Sequence, residues 1–194
     1  MLNIKSPEYK GNCILELVEF TLREVEMIKR AIYPGTFDPV TYGHLDIVRR
    51  GLELFPELIV GIAENPKKKP LFTVEERKEM FEESLREIGL NGKVKVKTFN
   101  SLLVEFAKRE GAVAILRGIR IVSDMDHEFT MASLNRKLYP EIETVFLMPS
   151  DEYAYLSSSA VREIAFYGGD VSQFVTKAVE RKLKEKFERL RKGE

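Results

Sequence analysis

A chain of 194 residues suits one domain, or one domain with an appendage. It can bury roughly 70% of the surface its unfolded form exposes, so no disulfide or metal staple is needed. Lys plus Arg (31) balance Asp plus Glu (31), which argues against a dedicated nucleic-acid binder while allowing local basic patches. Cys13 is the single cysteine, so neither an internal disulfide nor a cysteine metal cluster is expected. No apolar run approaches the roughly 18 residues of a membrane span. The first twenty residues, MLNIKSPEYKGNCILELVEF, carry acids inside their apolar part and do not form a secretory signal. These features predict a cytoplasmic protein with no membrane or nucleic-acid partner.

From residue 30 strands and helices alternate. RAIY (30–33) is a short strand, and HLDIVRRGLELF (44–55) is a helix with Leu45, Val48, Leu52 and Phe55 on one face. ELIVGIA (57–63) is an apolar strand. After the loop ENPKKKPLF, a helix spans 73–89, with Thr73 and Glu76 at capping-box spacing and Gly89 at its end. KVKVKTF (93–99) alternates like a half-exposed strand. LLVEFAKREG (102–111) is helical and AVAILRG (112–118) is a buried strand. Residues 123–139 form a helix with Ser123 as its expected N-cap, and ETVFLMP (143–149) is the fifth strand. Near the end, Val179, Leu183, Phe187 and Leu190 stand at helical spacing, as in a packed terminal helix.

Apolar strands alternating with helices imply an α/β fold, with a five-stranded parallel sheet and helices on both faces. Such sheets bind ligands beyond the carboxyl ends of their strands. The segments that follow the strands are PGTFDPVTYGH, ENPKKKP, NSLL, RGIR and PSDEYAYLSSS. Basic, hydroxyl and glycine residues therefore collect along one edge.

Four of these segments suit phosphate. In YPGTFDPVTYGH, Thr41 can cap a helix that begins near Gly43. His44 then falls in the first turn, where free N–H groups and the helix dipole favour an anion. Gly35 and Gly43 remove side chains where a phosphate would approach. Arg117 and Arg120 follow a buried strand and suit bidentate phosphate recognition. Lys67, Lys68 and Lys69 lie between Pro66 and Pro70. Ser157, Ser158 and Ser159 precede a helix, with Arg162 one turn on. Each group has an ordinary alternative: a surface histidine, surface arginines, a solvated charge run, a serine cap. Their convergence on one sheet edge favours the phosphate site. There is no P-loop, GxGxxG or GxSxG motif. Two histidines and one cysteine make a zinc site improbable, and His127 fits a helix surface. No nucleophile has a base beside it in sequence. Direct displacement at phosphorus, driven by positioning and electrostatics, remains.

GTFDPVTYGH resembles the T/HxGH signature of nucleotidylyltransferases. Together with NPKKKPLFTVEER, ILRGIR, NRKLYPEIETVFLMPS and SSSAVREIA, it is similar to the bacterial phosphopantetheine adenylyltransferase family, in order and spacing, from about Met27 to Val175. The resemblance implies a Rossmann-like fold with added C-terminal helices. It implies reversible transfer of AMP from ATP to 4′-phosphopantetheine, giving dephospho-coenzyme A and pyrophosphate in coenzyme A synthesis. Carried onto this chain, Thr36 contacts both substrates and His44 stabilises the transition state. Lys68, Leu103 and Arg117 bind phosphopantetheine. Phe37, Gly118, Ile119, Arg120 and Glu128 contact ATP. Tyr153, Ala154, Tyr155, Leu156, Ser157, Ser158 and Ser159 close over the nucleotide. Mg²⁺ arrives with ATP rather than in a protein metal site. The resemblance also implies a homohexamer with coenzyme A as feedback ligand. Tyr42 departs from the asparagine common in the signature, and Met125, Asp126 and His127 replace an aromatic-acid-aromatic run. Residues 27–194 are taken as the nucleotidylyltransferase domain. Residues 1–26 are taken as an N-terminal extension: a start assigned too far upstream, an appended helix or a disordered tail. Outside this family, another acceptor or a non-catalytic nucleotide sensor would use the same signature.

Overall fold

The computed structural model describes residues 30–64 and 69–192. The expected extension over residues 1–26 and the loop residue Lys68 lie outside the described residues. The chain runs β1 (Arg30–Gly35), α1 (Tyr42–Leu54), β2 (Glu57–Ala63), α2 (Val74–Glu87), β3 (Val94–Phe99), α3 (Leu103–Arg109), β4 (Ala114–Gly118), α4 (Val122–Leu138), β5 (Glu143–Leu147), α5 (Ser158–Phe166) and α6 (Lys177–Lys192). One 3₁₀ turn, Asp151–Tyr153, precedes α5. The α4 helix starts one residue earlier than its sequence suggests. Ile121 takes the N-cap position and Ser123 falls inside the first turn.

All five strands are parallel, in the order β3-β2-β1-β4-β5. The order reverses between β1 and β4, and this is where an open α/β sheet forms its ligand crevice. Register shows how the crevice opens. β1 pairs with β2 through six residue pairs, from Arg30–Glu57 to Gly35–Ile62. It pairs with β4 only through Ala31–Ala114 and Ile32–Ile115. Beyond Ile32 the two strands part.

Alternate residues feed two apolar layers, as the two-residue period of a strand requires. Ala31, Tyr33, Leu58, Val60, Ala114 and Leu116 join the larger layer with Ile47 and Val48 of α1, Phe81 of α2 and Leu183 of α6. Ile32, Ile59 and Ile115 join the smaller one with Val104 and Phe106 of α3. Two polar contacts hold the terminal helix in place. Glu87 accepts the backbone N–H groups of Lys177 and Ala178 at 3.0 and 2.8 Å. Ser84 and Thr176 share a buried hydroxyl contact of 2.8 Å. The glutamate thereby caps α6 from a neighbouring helix and offers charge to its positive end. On the other face α4 leaves Phe129, Leu134 and Leu138 about half exposed. Among the described residues no helix is long and apolar enough to cross a membrane.

Candidate active site

A cavity of about 600 Å³ occupies the crevice between the carboxyl ends of β1 and β4. Its first wall is the β1–α1 loop. Gly35 is required there by packing. A Cβ at that position would stand 2.6 Å from Cζ of Phe37, whose ring folds back over the glycine. Phe37 is buried and has a positive φ of 48°, an uncommon conformation for a non-glycine residue. Its ring meets Tyr33, His44 and Phe81 edge-on, with centroids 5.2, 5.1 and 4.8 Å apart. The loop is thus anchored by an aromatic plug beneath His44.

His44 is the third residue of α1, and the capping box works in an unusual form. The backbone N–H of Thr41, the N-cap residue, donates to Nδ1 of His44 at 3.0 Å. The Thr41 hydroxyl lies 3.0 Å from the same nitrogen. A backbone N–H can only donate, so Nδ1 is an acceptor and the imidazole proton resides on Nε2. Burial, helped by the nearby Arg120 charge, lowers the His44 pKa to about 4. At neutral pH the site therefore holds a neutral imidazole with one fixed N–H donor.

The opposite wall comes from β4 and α4. Arg117 donates from Nε to Oε2 of Glu128 at 2.6 Å and from Nη2 to Oε1. Its Nη1 donates to the Pro34 carbonyl at 3.1 Å, tying β4 back to β1. Arg120 donates from Nε to Asp124 at 3.2 Å and from Nη1 to the Leu156 carbonyl at 3.1 Å. The rim is closed by the segment after β5. Ser157 caps α5, accepting the Ala160 N–H at 3.1 Å, and the Ser158 hydroxyl donates to the Pro39 carbonyl at 2.7 Å. The serine segment is thereby fastened to the β1–α1 loop.

Thr36, Phe37, His44, Arg117, Gly118, Arg120, Glu128, Tyr153, Leu156, Ser157, Ser158 and Ser159 all line this cavity. Lys69, the last lysine of the loop, lines it as well. Other expected contacts sit elsewhere. Leu103 opens α3 and packs against the smaller apolar layer. Ile119 is buried, while Ala154 and the exposed Tyr155 lie off the cavity wall.

Three supporting residues escaped the sequence. Buried Asp38 accepts the N–H groups of Leu71 and Phe72 at 2.8 and 3.0 Å and receives Arg162 from α5. Arg77 on α2 is buried and donates to four carbonyls: Thr36 at 2.6 Å, Ala63 at 3.0 Å, and Phe72 and Thr73 at 3.2 Å each. Burial pulls the Arg77 pKa down against the nearby Asp38 charge. Asp46 on α1 holds the N–H and hydroxyl of Ser150 at 2.9 and 3.0 Å. The FDP and VEER segments contained the first two, but nothing in their spacing marks a buried guanidinium as a loop clamp.

The cytidylyltransferase-like family matches residues 32–164, which spans the cavity and all five strands. Among curated relatives, the phosphopantetheine adenylyltransferase of Caldanaerobacter subterraneus is 53% identical over 159 residues, covering 82% of this chain and 98% of the relative. That of Thermodesulfovibrio yellowstonii is 50% identical over 164 residues, covering 84% of this chain and 100% of the relative. Among solved structures, a putative nicotinate-nucleotide adenylyltransferase from Vibrio parahaemolyticus superposes with a TM-score of 0.60 at 18% identity, covering 83% of this chain and 95% of that one. At that identity the likeness speaks for the fold alone. About half of the aligned residues are identical to those of these curated relatives over more than four-fifths of this chain, and the chain belongs to the phosphopantetheine adenylyltransferase family of cytidylyltransferase-like proteins.

Proposed function

We propose that this chain transfers the adenylyl group of ATP to 4′-phosphopantetheine, releasing pyrophosphate and dephospho-coenzyme A. The observation that carries the mechanism is the fixed tautomer of His44 at the mouth of α1. The attacking atom is an oxygen of the acceptor phosphate, already anionic, so no general base is required. That oxygen forms a bond to the α-phosphorus of ATP, and the bond from that phosphorus to the bridging oxygen breaks. Pyrophosphate leaves with the bonding electrons. Charge gathers on the non-bridging α-phosphate oxygens, where a neutral Nε2–H donor and the helix N-terminus stabilise it. Holding two polyanions in line is the remaining task.

Thr36, Lys68, Leu103 and Arg117 are assigned to phosphopantetheine. Thr36 also serves ATP, with Phe37, His44, Gly118, Ile119, Arg120, Glu128 and Tyr153 through Ser159. Mg²⁺ fits this site as part of the ATP substrate. Among the described residues no group of three or more His, Cys, Asp or Glu side chains could hold a metal. The carboxylates at the cavity are engaged otherwise: Glu128 by Arg117, Asp124 by Arg120, Asp38 by backbone N–H groups. The ion's ligands would be phosphate oxygens and water, and its contribution is charge neutralisation. A homohexamer belongs to the same proposal, supported by the half-exposed Phe129, Leu134 and Leu138 of α4. So do a cytoplasmic location and feedback by coenzyme A, which shares the pantetheine arm of the acceptor.

The test is pyrophosphate release with ATP and Mg²⁺, comparing 4′-phosphopantetheine, nicotinamide mononucleotide and glycerol phosphate. Turnover with phosphopantetheine alone, yielding dephospho-coenzyme A, is expected. Turnover with a different acceptor alone would keep the chemistry and overturn the substrate. ATP binding without turnover would make the protein a nucleotide sensor.

A further inference from the structure

Tyr33 has no part in the chemistry above, yet it lies in the floor of the cavity. It stands on β1 where β1 and β4 begin to part, and its residue surface is 5% exposed. The ring packs edge-on against Phe37. The hydroxyl reaches across to β4, where a Cβ built on Gly118 would lie 3.7 Å from it. Tyr33, Ile47 and Gly118 are neighbours along the cavity wall. Among the described residues no hydrogen bond engages the Tyr33 hydroxyl, and its oxygen is not one of the buried unsatisfied atoms: it opens on the cavity.

A hydroxyl that opens on the cavity with no protein partner is available to a ligand, which a phenylalanine in its place would not be. Its surroundings indicate what it meets. Arg117 and Arg120 supply positive charge nearby, and Asp46 and Glu128 supply negative charge. Burial outweighs the two arginines and raises the Tyr33 pKa well above the usual tyrosine range. At neutral pH the group is therefore a neutral O–H donor. A Cβ on Gly118 would crowd Ile47 at 3.2 Å, so a glycine there keeps the β4 backbone close to the hydroxyl. A neutral donor in a cavity also lined by two arginines suits an oxygen-rich, anionic ligand.

We propose that the Tyr33 hydroxyl is a direct contact for the nucleotide, donating a hydrogen bond to an oxygen of the ribose-phosphate portion of ATP beside Gly118. This rests on the adenylyltransferase reading, which places ATP along Gly118 and Arg120. The contact orients the nucleotide from the floor of the crevice, while His44 acts on the α-phosphate from the α1 side. A site built to hydrogen-bond one substrate atom also discriminates against ligands that lack it.

The test is Tyr33→Phe, which keeps the ring and its contact with Phe37 and removes one oxygen. Calorimetric titration should show ATP binding weakened about five- to thirtyfold, with phosphopantetheine affinity unchanged. Repeating the titration with 2′-deoxy- and 3′-deoxy-ATP locates the acceptor. If the penalty persists with both, the contact is on phosphate; if it vanishes with one, that ribose hydroxyl is the partner. A second readout keeps the native residue. With 3-fluorotyrosine incorporated, the ¹⁹F resonance absent from Tyr33→Phe should shift on adding ATP and stay put on adding phosphopantetheine. Unchanged ATP affinity in Tyr33→Phe, or a loss confined to phosphopantetheine, would overturn the proposal. The wild-type acceptor assay separates this from failure of the adenylyltransferase reading. If wild-type protein turns over phosphopantetheine normally while Tyr33→Phe binds ATP normally, only the tyrosine contact is wrong.

Discussion

Arg117 and Glu128 form a two-point ion pair across the cavity wall, with Nε to Oε2 at 2.6 Å and Nη2 engaged by the second oxygen. The pair is partly buried, with side-chain exposures of 28% and 12%, so solvent screens it less than a surface pair. The resemblance in sequence assigns the two residues to different substrates. Their pairing means that the glutamate also aims the guanidinium. Lysine cannot reproduce that planar fork or the bond to the Pro34 carbonyl. Arg117→Lys should therefore raise the KM for phosphopantetheine by about tenfold or more. Steady-state kinetics at saturating ATP would show it. Glu128→Gln should raise the same KM by a smaller factor, because the amide still accepts one of the two bonds.

His44→Ala should lower kcat by at least about a hundredfold, since it deletes a donor that matters most in the transition state. ATP binding should weaken far less. Unchanged turnover would remove His44 from the mechanism. Thr41→Val is the finer test. It keeps the backbone N–H that fixes the tautomer and removes only the hydroxyl, so kcat should fall by a few-fold.

The His44 pKa of about 4 lies below its ordinary value of 6.5. The unfolded chain therefore binds a proton in a pH range where the folded chain does not. The stability that accompanies the neutral imidazole is complete above about pH 6.5 and is lost as pH falls from there toward about 4. Urea unfolding of wild type and His44→Gln at pH 7.5 and 5.0 should show wild type losing more stability on acidification. In proton NMR, the imidazole resonance missing from His44→Gln should not titrate between pH 5.5 and 8.

Arg77→Met should destabilise the fold by about 2–4 kcal/mol, because the carbonyls of Thr36, Ala63, Phe72 and Thr73 lose one shared donor. Urea midpoints would measure it. Arg77→Lys can restore only part of that network, since an ammonium lacks the guanidinium's spread of donors. Its stability should fall between the two.

Sheet, helices and the cavity's position were legible because their causes are local and repetitive. Buried strands such as ELIVGIA announce themselves as unbroken apolar runs, and every strand's carboxyl end inherits the residues that follow it. The capping pair Thr73 and Glu76 was readable from spacing, and the structure forms it. Ser123 reads as a cap because a hydroxyl before an acidic stretch is a common signal, whereas in the structure Ile121 holds that position with no side-chain capping bond. His44 was legible as a first-turn residue, but its tautomer depends on a backbone N–H three residues earlier. Asp38 and Arg77 were invisible for a different reason. Asp38 is satisfied by main-chain N–H groups 33 and 34 residues away and Arg77 by four carbonyls, one of them 41 residues away, and main-chain groups carry no sequence signature.

The ladder between β1 and β4 stops after Ile32 and Ile115, whereas β1 and β2 remain joined to Gly35 and Ile62. The sheet is thus a fabric with an open seam, and the seam is the cavity. Beyond it, Arg117 reaches across to the Pro34 carbonyl. A nucleotide lying from His44 to Arg120 stitches the two flaps together, standing in for rungs the backbone omits. Ligand affinity and the cohesion of the sheet are then one quantity seen from two sides. Saturating substrate should raise the melting temperature in proportion to the logarithm of its excess over Kd. Amide exchange should slow first in the residues on either side of the seam, Tyr33–Gly35 and Arg117–Gly118.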